Sequence, residues 1–175
     1  MADGLILTGF MGSGKTAVGK RLAGKLDWDF FDADPLVEEH MGMSIREIFE
    51  IHGEPGFRKA EEAVVLGLLE EAASSKRGAV ISLGGGAVTI PAVYERLLRE
   101  SLVVLLDEDV ETAYQRARGG KRPLAEDWEN FRSLYTQRDS IYRSVAKYIV
   151  DTRGLDADAV ADRIVELIHE RTGIL

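Results

Sequence analysis

The sequence predicts an α/β protein, a parallel sheet covered by helices on both faces. Short apolar runs recur along the chain, the segments between them carry apolar residues at three-and-four spacing, and no linker, repeat or low-complexity tract interrupts the series. At 175 residues, the chain suits one domain spanning 1–175. Gly4 to Thr8 reads as the first buried strand, followed by a helix from about Lys15 to Leu26. Phe30-Phe31 marks a second strand, and Pro35 a good first helical residue with Asp34 as its cap. Gly53 to Glu61 reads as a loop leading into a helix whose apolar stripe is Ala63, Leu66, Leu69 and Ala73. Ala79-Val-Ile-Ser82 and Leu102-Val-Val-Leu-Leu106 are the next strands. Arg118 to Asp127 is long, polar and glycine-containing, in the manner of mobile functional loops. A helix bearing Tyr135, Arg138, Ile141 and Tyr142 follows. Tyr148-Ile-Val150 is the last strand, and Val160, Ile164, Leu167 and Ile168 pattern the last helix.

Composition narrows the functions. Apolar residues make up 45% and charged residues 30%, a globular balance, and the net charge is −8. An acidic surface argues against nucleic-acid or anionic-membrane partners, so any cluster of basic residues is informative. The absence of cysteine excludes disulfides, thiolate catalysis and zinc–thiolate sites. His40, His52 and His169 are too scattered for a metal cluster and read as helix or loop residues. No run approaches the roughly 20 apolar residues of a membrane span, and no targeting segment is visible, so a cytoplasmic protein is expected.

Gly9-Phe-Met-Gly-Ser-Gly-Lys-Thr16 fits G-x-x-x-x-G-K-T between a predicted strand and a predicted helix. Glycines there let successive backbone N–H groups turn toward a phosphate, and the helix N-terminus adds its positive end. Lys15 then reaches the outer phosphates and the Thr16 hydroxyl ligates Mg²⁺, so the site takes a nucleoside triphosphate with its metal. The Asn-Lys-x-Asp base-reading signature of GTPases is absent, and the chain is short for a motor. Length favours a small-metabolite kinase.

Four further features suit a second substrate, each with a plainer structural alternative. Asp32 and Asp34 follow the second strand, where i, i+2 carboxylates project together; one supports the metal and the other takes a proton, or they simply cap a helix. Arg58 and Glu61 lie i, i+3, with Glu61 holding the Arg58 fork or forming a surface pair. Gly84-Gly85-Gly86 lets backbone approach a ligand, or is a plain turn. Arg122-Pro-Leu lies in the long polar loop and Arg138 is four residues before Tyr142; both arginines face an anion, or each is plain surface. Arginine forks suit carboxylates and phosphates, so a substrate with a carboxylate and hydroxyls would use two forks and one Asp.

Taken together, these residues resemble the shikimate kinase family over essentially the whole chain. The matching motifs are Gly9 to Thr16, Asp32-x-Asp34, Phe57-Arg-x-x-Glu61, Gly84 to Gly86, Arg122-Pro-Leu124 and Arg138-x-x-x-Tyr142, in the family's order. The resemblance implies a three-layer P-loop kinase fold of the nucleoside-monophosphate-kinase type. It implies a five-stranded parallel sheet in order 2-3-1-4-5, helices on both faces and a mobile lid at about 118–128. It also implies ATP- and Mg²⁺-dependent phosphorylation of the shikimate 3-hydroxyl, on the route to chorismate and aromatic amino acids, by a monomer.

Carried over by position, Gly12, Ser13, Gly14, Lys15, Thr16 and Ala17 hold the nucleotide, and Arg122 closes over the phosphates. Lys15, Asp34 and Arg122 are the catalytic set; Thr16 and, through water, Asp32 hold the metal, with Ser82 beside them. Asp34, Arg58, Gly85, Gly86 and Arg138 bind shikimate in a region of about 32–61 and beyond. Ile45, Phe49 and Phe57 match the family's apolar wall around the ring, with Pro123 and Leu124 coming from the lid. Arg116 or Arg118 stacks on the base, near the turn Arg153 to Asp156. Ala125 departs from the family's second lid leucine, and Glu126-Asp127-Trp128 adds acid and bulk. Gluconate kinase is the nearest rival activity, disfavoured by Arg58, Arg138 and the glycine turn. A regulatory protein that kept only the cradle is the rival of another class, disfavoured by the retained Asp34 and arginines.

Overall fold

The computed structural model describes residues 4–118 and 123–172. Five parallel strands form one sheet in the order β2-β3-β1-β4-β5, as expected. They are β1 (Gly4–Thr8), β2 (Asp29–Asp32), β3 (Ala79–Ser82), β4 (Val103–Asp107) and β5 (Tyr148–Asp151). Strand β1 is central: Leu7 is in register with Ser82 of β3 and with Val104 of β4. Its alternating side chains feed both faces. Leu5 and Leu7 pack with Val18 and Leu22 of α1 (Lys15–Leu26) and with Val160, Ala161 and Ile164 of α7 (Ala157–Thr172). Ile6 faces the opposite core with Val65 and Leu69 of α3 (Ile45–Ser74), Val93 and Leu97 of α4 (Pro91–Leu97) and Phe131 of α6 (Trp128–Val145). Two shorter helices, α2 (Ala33–Met41) and α5 (Val110–Ala117), complete the set. Among the described residues, no helix is long and apolar enough to cross a membrane.

Four local readings are corrected. Gly53 to Glu61 is not a loop: helix runs through it, broken only at Gly53 (φ 67, ψ −179), and Pro55 sits in the first turn after the break, where its missing N–H is not needed. Ser44 starts this helix with a capping box, its side chain meeting the Glu47 N–H and Glu47 returning to the Ser44 N–H. The buried stripe of α3 is Val65, Leu68, Leu69 and Ala72, while Ala63 and Ala73 are exposed. Apolar residues lie almost all round Ala63 to Ala73, so spacing alone does not fix the buried face. The cap of α2 is Asp32, which accepts the Asp34 N–H at 3.4 Å; Asp34 itself lies in the first helical turn, not on the strand end. Finally, the expected lid segment is shorter at its far end. Asp127 caps α6 by accepting the Asn130 N–H at 2.8 Å, and Trp128 begins that helix with its ring 5.1 Å from that of Tyr114. Just before them, Pro123–Ala125 forms a 3-10 turn with Ala125 buried, so the smaller residue occupies a packed position. Arg122 lies outside the described residues, as do Gly119, Gly120 and Lys121.

Candidate active site

The parallel order brings the carboxyl ends of β1, β2 and β3 together, where such sheets place their ligand sites. Beyond β1 the chain turns through Gly9 to Gly14 into α1. Gly14 is the N-cap in a left-handed conformation (φ 91, ψ 11), which a side chain would strain, and it aims the first N–H groups of α1 at the loop interior. Lys15 is 6% exposed, and its Nζ donates to the carbonyls of Gly9 at 2.7 Å and Phe10 at 3.0 Å. The Thr16 hydroxyl donates to Asp32 Oδ2 at 2.6 Å, which ties the α1 terminus to the end of β2. Thus Asp32 caps α2 with one oxygen and holds Thr16 with the other. An open cavity lies here, lined by Gly12, Gly14, Lys15, Thr16, Ala17 and Asp32, with Ser82 and Arg116 at its walls. Ser13 lies buried behind it, and its hydroxyl has no hydrogen-bond partner among the described residues.

A second, smaller cavity lies beside the first and shares Asp34 and Ile45 with it. Its walls are Phe49, Phe57 and Leu124, and its charged groups are Asp34, Arg58, Glu61 and Arg138. The Arg58–Glu61 pair is not a surface pair. Glu61 is 1% exposed and accepts Arg58 Nη1 at 2.5 Å, while Glu54 accepts Nη2 at 3.0 Å. The Arg58 guanidinium stands 5.1 Å from the centroid of the Phe57 ring, so it is held from three sides. Burial pushes the Glu61 carboxyl above its ordinary range, more than the pull of Arg58 lowers it, and the nearby Asp34 adds to the rise. Arg138 is 6% exposed and lies 6.0 Å from the Phe10 ring. Burial likewise raises the Tyr142 hydroxyl, whose proton is donated to the Gly85 carbonyl. The Tyr142 phenol on α6 therefore ties that helix to the glycine turn.

The glycine turn fits closely for a specific reason. A Cβ on Gly84 would run into Glu61 Oε1 and stand 2.8 Å from Asp34 Oδ1, and one on Gly86 would collide with the Arg58 guanidinium. The turn thus closes down on the charged side chains of α2 and α3. Of the sequence-derived site residues, the structure gathers Gly12, Gly14, Lys15, Thr16, Ala17 and Asp32 in one cavity and Arg58, Gly85, Gly86 and Arg138 in the other, with Asp34 in both. Sequence reasoning missed Met11, whose N–H faces Gly85, and a carboxylate, Glu108, that follows β4 and bonds Arg116 at 2.9 Å. Glu108 sits in an acidic run, Asp107-Glu108-Asp109, at the end of an otherwise apolar strand, and nothing in the sequence singles it out from its neighbours.

Comparison with known proteins agrees with this geometry. A family model described as shikimate kinase matches residues 11–169. The shikimate kinase of Halorhodospira halophila is 42% identical over 169 residues, covering 94% of this chain and 93% of that protein. That of Alteromonas mediterranea is 40% identical over 168 residues, covering 94% and 95%. The solved structure of shikimate kinase from Acinetobacter baumannii in complex with shikimate superposes with a TM-score of 0.90 at 36% identity, over 98% of this chain and 96% of that one. With nearly the full length matched and both cavities built from the expected motifs, the chain belongs to the shikimate kinase family.

Proposed function

We propose that the protein transfers the γ-phosphoryl group of ATP to the 3-hydroxyl of shikimate, giving shikimate 3-phosphate and ADP. The observation that carries this reading is the meeting of two cavities at Asp34: a phosphate cradle on one side and, on the other, a cleft with a buried Arg138 and a largely covered Arg58. The cleft offers Arg58 and Arg138 as forks for a carboxylate, and Ile45, Phe49 and Phe57 as a wall for a carbocyclic ring. Asp34 stands between the two as the group that orients the acceptor hydroxyl and takes its proton.

The residues present also fit a divalent cation. Thr16 Oγ1 and Asp32 Oδ2 are hard oxygen donors 2.6 Å apart at the helix start, and Mg²⁺ is commonly held by one or two such groups plus substrate phosphates. Mg²⁺ would be held by Thr16 directly and by Asp32 through water, and it supplies charge neutralisation to the phosphates. Lys15 adds its ammonium at the outer phosphates, and Arg122, carried over from the family's motif, closes from the lid. Transfer is direct and in line: the acceptor oxygen attacks phosphorus, the bond to the bridging oxygen of ADP breaks, and the hydroxyl proton passes to Asp34. Water excluded by the closing lid limits idle hydrolysis. A coupled ADP-release assay with shikimate, gluconate or no acceptor tests the reading. ADP release dependent on shikimate and Mg²⁺ is expected; release at one rate in all three conditions overturns it.

A further inference from the structure

The carboxyl end of the sheet carries a second buried acid that the proposed reaction does not use. Glu108 follows β4 and is 4% exposed. A buried carboxylate needs compensation, and Glu108 draws it from three segments. Oε1 accepts the Asp109 N–H at 3.1 Å, at the start of α5. Oε2 accepts the Thr152 hydroxyl at 3.1 Å, just after β5, and Arg116 Nη1 at 2.9 Å, from the last turn of α5. The main chain is pinned as well, because the Tyr135 hydroxyl of α6 donates to the Glu108 carbonyl at 2.9 Å. Nearly every polar contact of this residue therefore fixes its position.

What Glu108 fixes in turn is Arg116. That side chain is 45% exposed and lines the phosphate-loop cavity with Gly12 and Gly14. Its Nη1, the nitrogen bound to Glu108, lies 3.5 Å from the Gly12 carbonyl. A long arginine at a half-exposed wall would otherwise spread over many rotamers and lose that freedom when a nucleotide arrives. Held from behind by a buried acid, it meets the nucleotide with less to lose. We propose that Glu108 is a positioning residue for nucleotide binding, its carboxylate fixing the Arg116 guanidinium beside the phosphate loop. This rests on the nucleotide half of the proposed function and not on the identity of the acceptor. A purely structural Glu108 would only join the ends of β4 and β5 through Thr152.

Calorimetric titration of the full chain with Mg²⁺ and ADP separates these roles. The variants are Glu108→Gln, Arg116→Gln, the two combined, and Thr152→Val, each checked by thermal unfolding. Glu108→Gln and Arg116→Gln are expected to weaken ADP binding by about tenfold each, the scale of one charge-assisted contact. The combined variant is expected to be no weaker than the weaker single, because both changes remove one arrangement. Shikimate affinity, titrated in the same samples, stays within about twofold, and Thr152→Val lowers thermal stability with ADP affinity kept. Unchanged ADP affinity in a folded Arg116→Gln variant overturns the proposal. Additive losses in the combined variant, or a loss in Thr152→Val equal to that in Glu108→Gln, overturn it as well. A parent chain that binds shikimate but no ADP overturns the nucleotide reading and the proposal together.

Discussion

Replacing Gly86 by alanine tests the acceptor cleft with one added methyl group. Gly86 has φ −102 and ψ −4, a conformation alanine adopts, so the backbone itself imposes no strain. The new Cβ would lie inside contact distance of Cζ, Nη1 and Nη2 of Arg58. Restoring an ordinary separation of about 3.5 Å moves the fork by about 1 Å. Glu61 cannot follow, because its other oxygen already faces Gly84, so the 2.5 Å contact to Arg58 is lost. A hydrogen bond between charged groups is worth about 1.5–3 kcal/mol, and about 1.36 kcal/mol is tenfold. A shikimate KM raised about 10- to 100-fold is therefore expected, with the KM for ATP within about twofold. Thermal stability should fall as well, since the buried Glu61 is left without its Arg58 contact, while Arg58 keeps the half-exposed Glu54 as partner. Steady-state kinetics against each substrate, with thermal unfolding of the same samples, supply the readouts. A folded variant with the parent's shikimate KM would refute the packing of Gly86 against a substrate-binding Arg58.

Three more expectations follow from the same geometry. Lys15→Ala removes the ammonium from the phosphate loop and should cut turnover by at least about 100-fold, since about 3 kcal/mol of charge-assisted contact is lost; near-parent turnover in a folded variant would remove Lys15 from the mechanism. Asp34→Asn should abolish most turnover while ADP still binds, because Asn keeps the shape without the basicity and Asp32, not Asp34, caps α2; turnover within a few-fold of the parent would leave Asp34 no proton-transfer role. Glu61→Gln should gain stability relative to the parent as pH rises. The folded-state carboxyl lies above its ordinary value, so the Glu61 contribution is fully present below about pH 4.5 and is lost as pH rises through the raised value, whereas Gln does not titrate. Denaturant unfolding at acidic and neutral pH reads the difference, and a trend of opposite sign contradicts the burial argument.

What the sequence disclosed was mostly local. The phosphate loop is contiguous, its glycines and Lys15 lie within one turn of chain, and its strand and helix fall within a residue or two of their expected bounds. The Arg58–Glu61 pair was legible because i, i+3 on a helix is a distance as well as a spacing. The cap of α2 was misassigned because Asp32 and Asp34 are both good capping residues and Pro35 suits several positions in a first turn. In the fold, Asp32 ends β2 and accepts the Asp34 N–H, and its other oxygen is held by Thr16, 16 residues away in sequence. The stripe of α3 failed for the converse reason: too many apolar residues satisfy the period at once.

The contacts that give the site its chemistry are set by sheet order, and sequence spacing carries no trace of them. Gly86 meets Arg58 because β3 lies beside β2, which delivers the turn after β3 onto α3. Thr152 meets Glu108 because β5 pairs with β4, with Asp107 and Asp151 in register. The cleft's charges make the same point. Arg58 and Arg138 carry two positive charges, and Asp34 and Glu61 carry two negative ones when ionised, so the cleft is balanced before any anion arrives. Burial raises the Glu61 carboxyl above its ordinary range against the pull of Arg58, and its second oxygen is buried without a hydrogen-bond partner among the described residues. In an acidic chain, the cleft thus holds two arginines without a standing excess of positive charge. That arrangement arises from burial, which the fold provides, acting on residue types that the sequence displays openly.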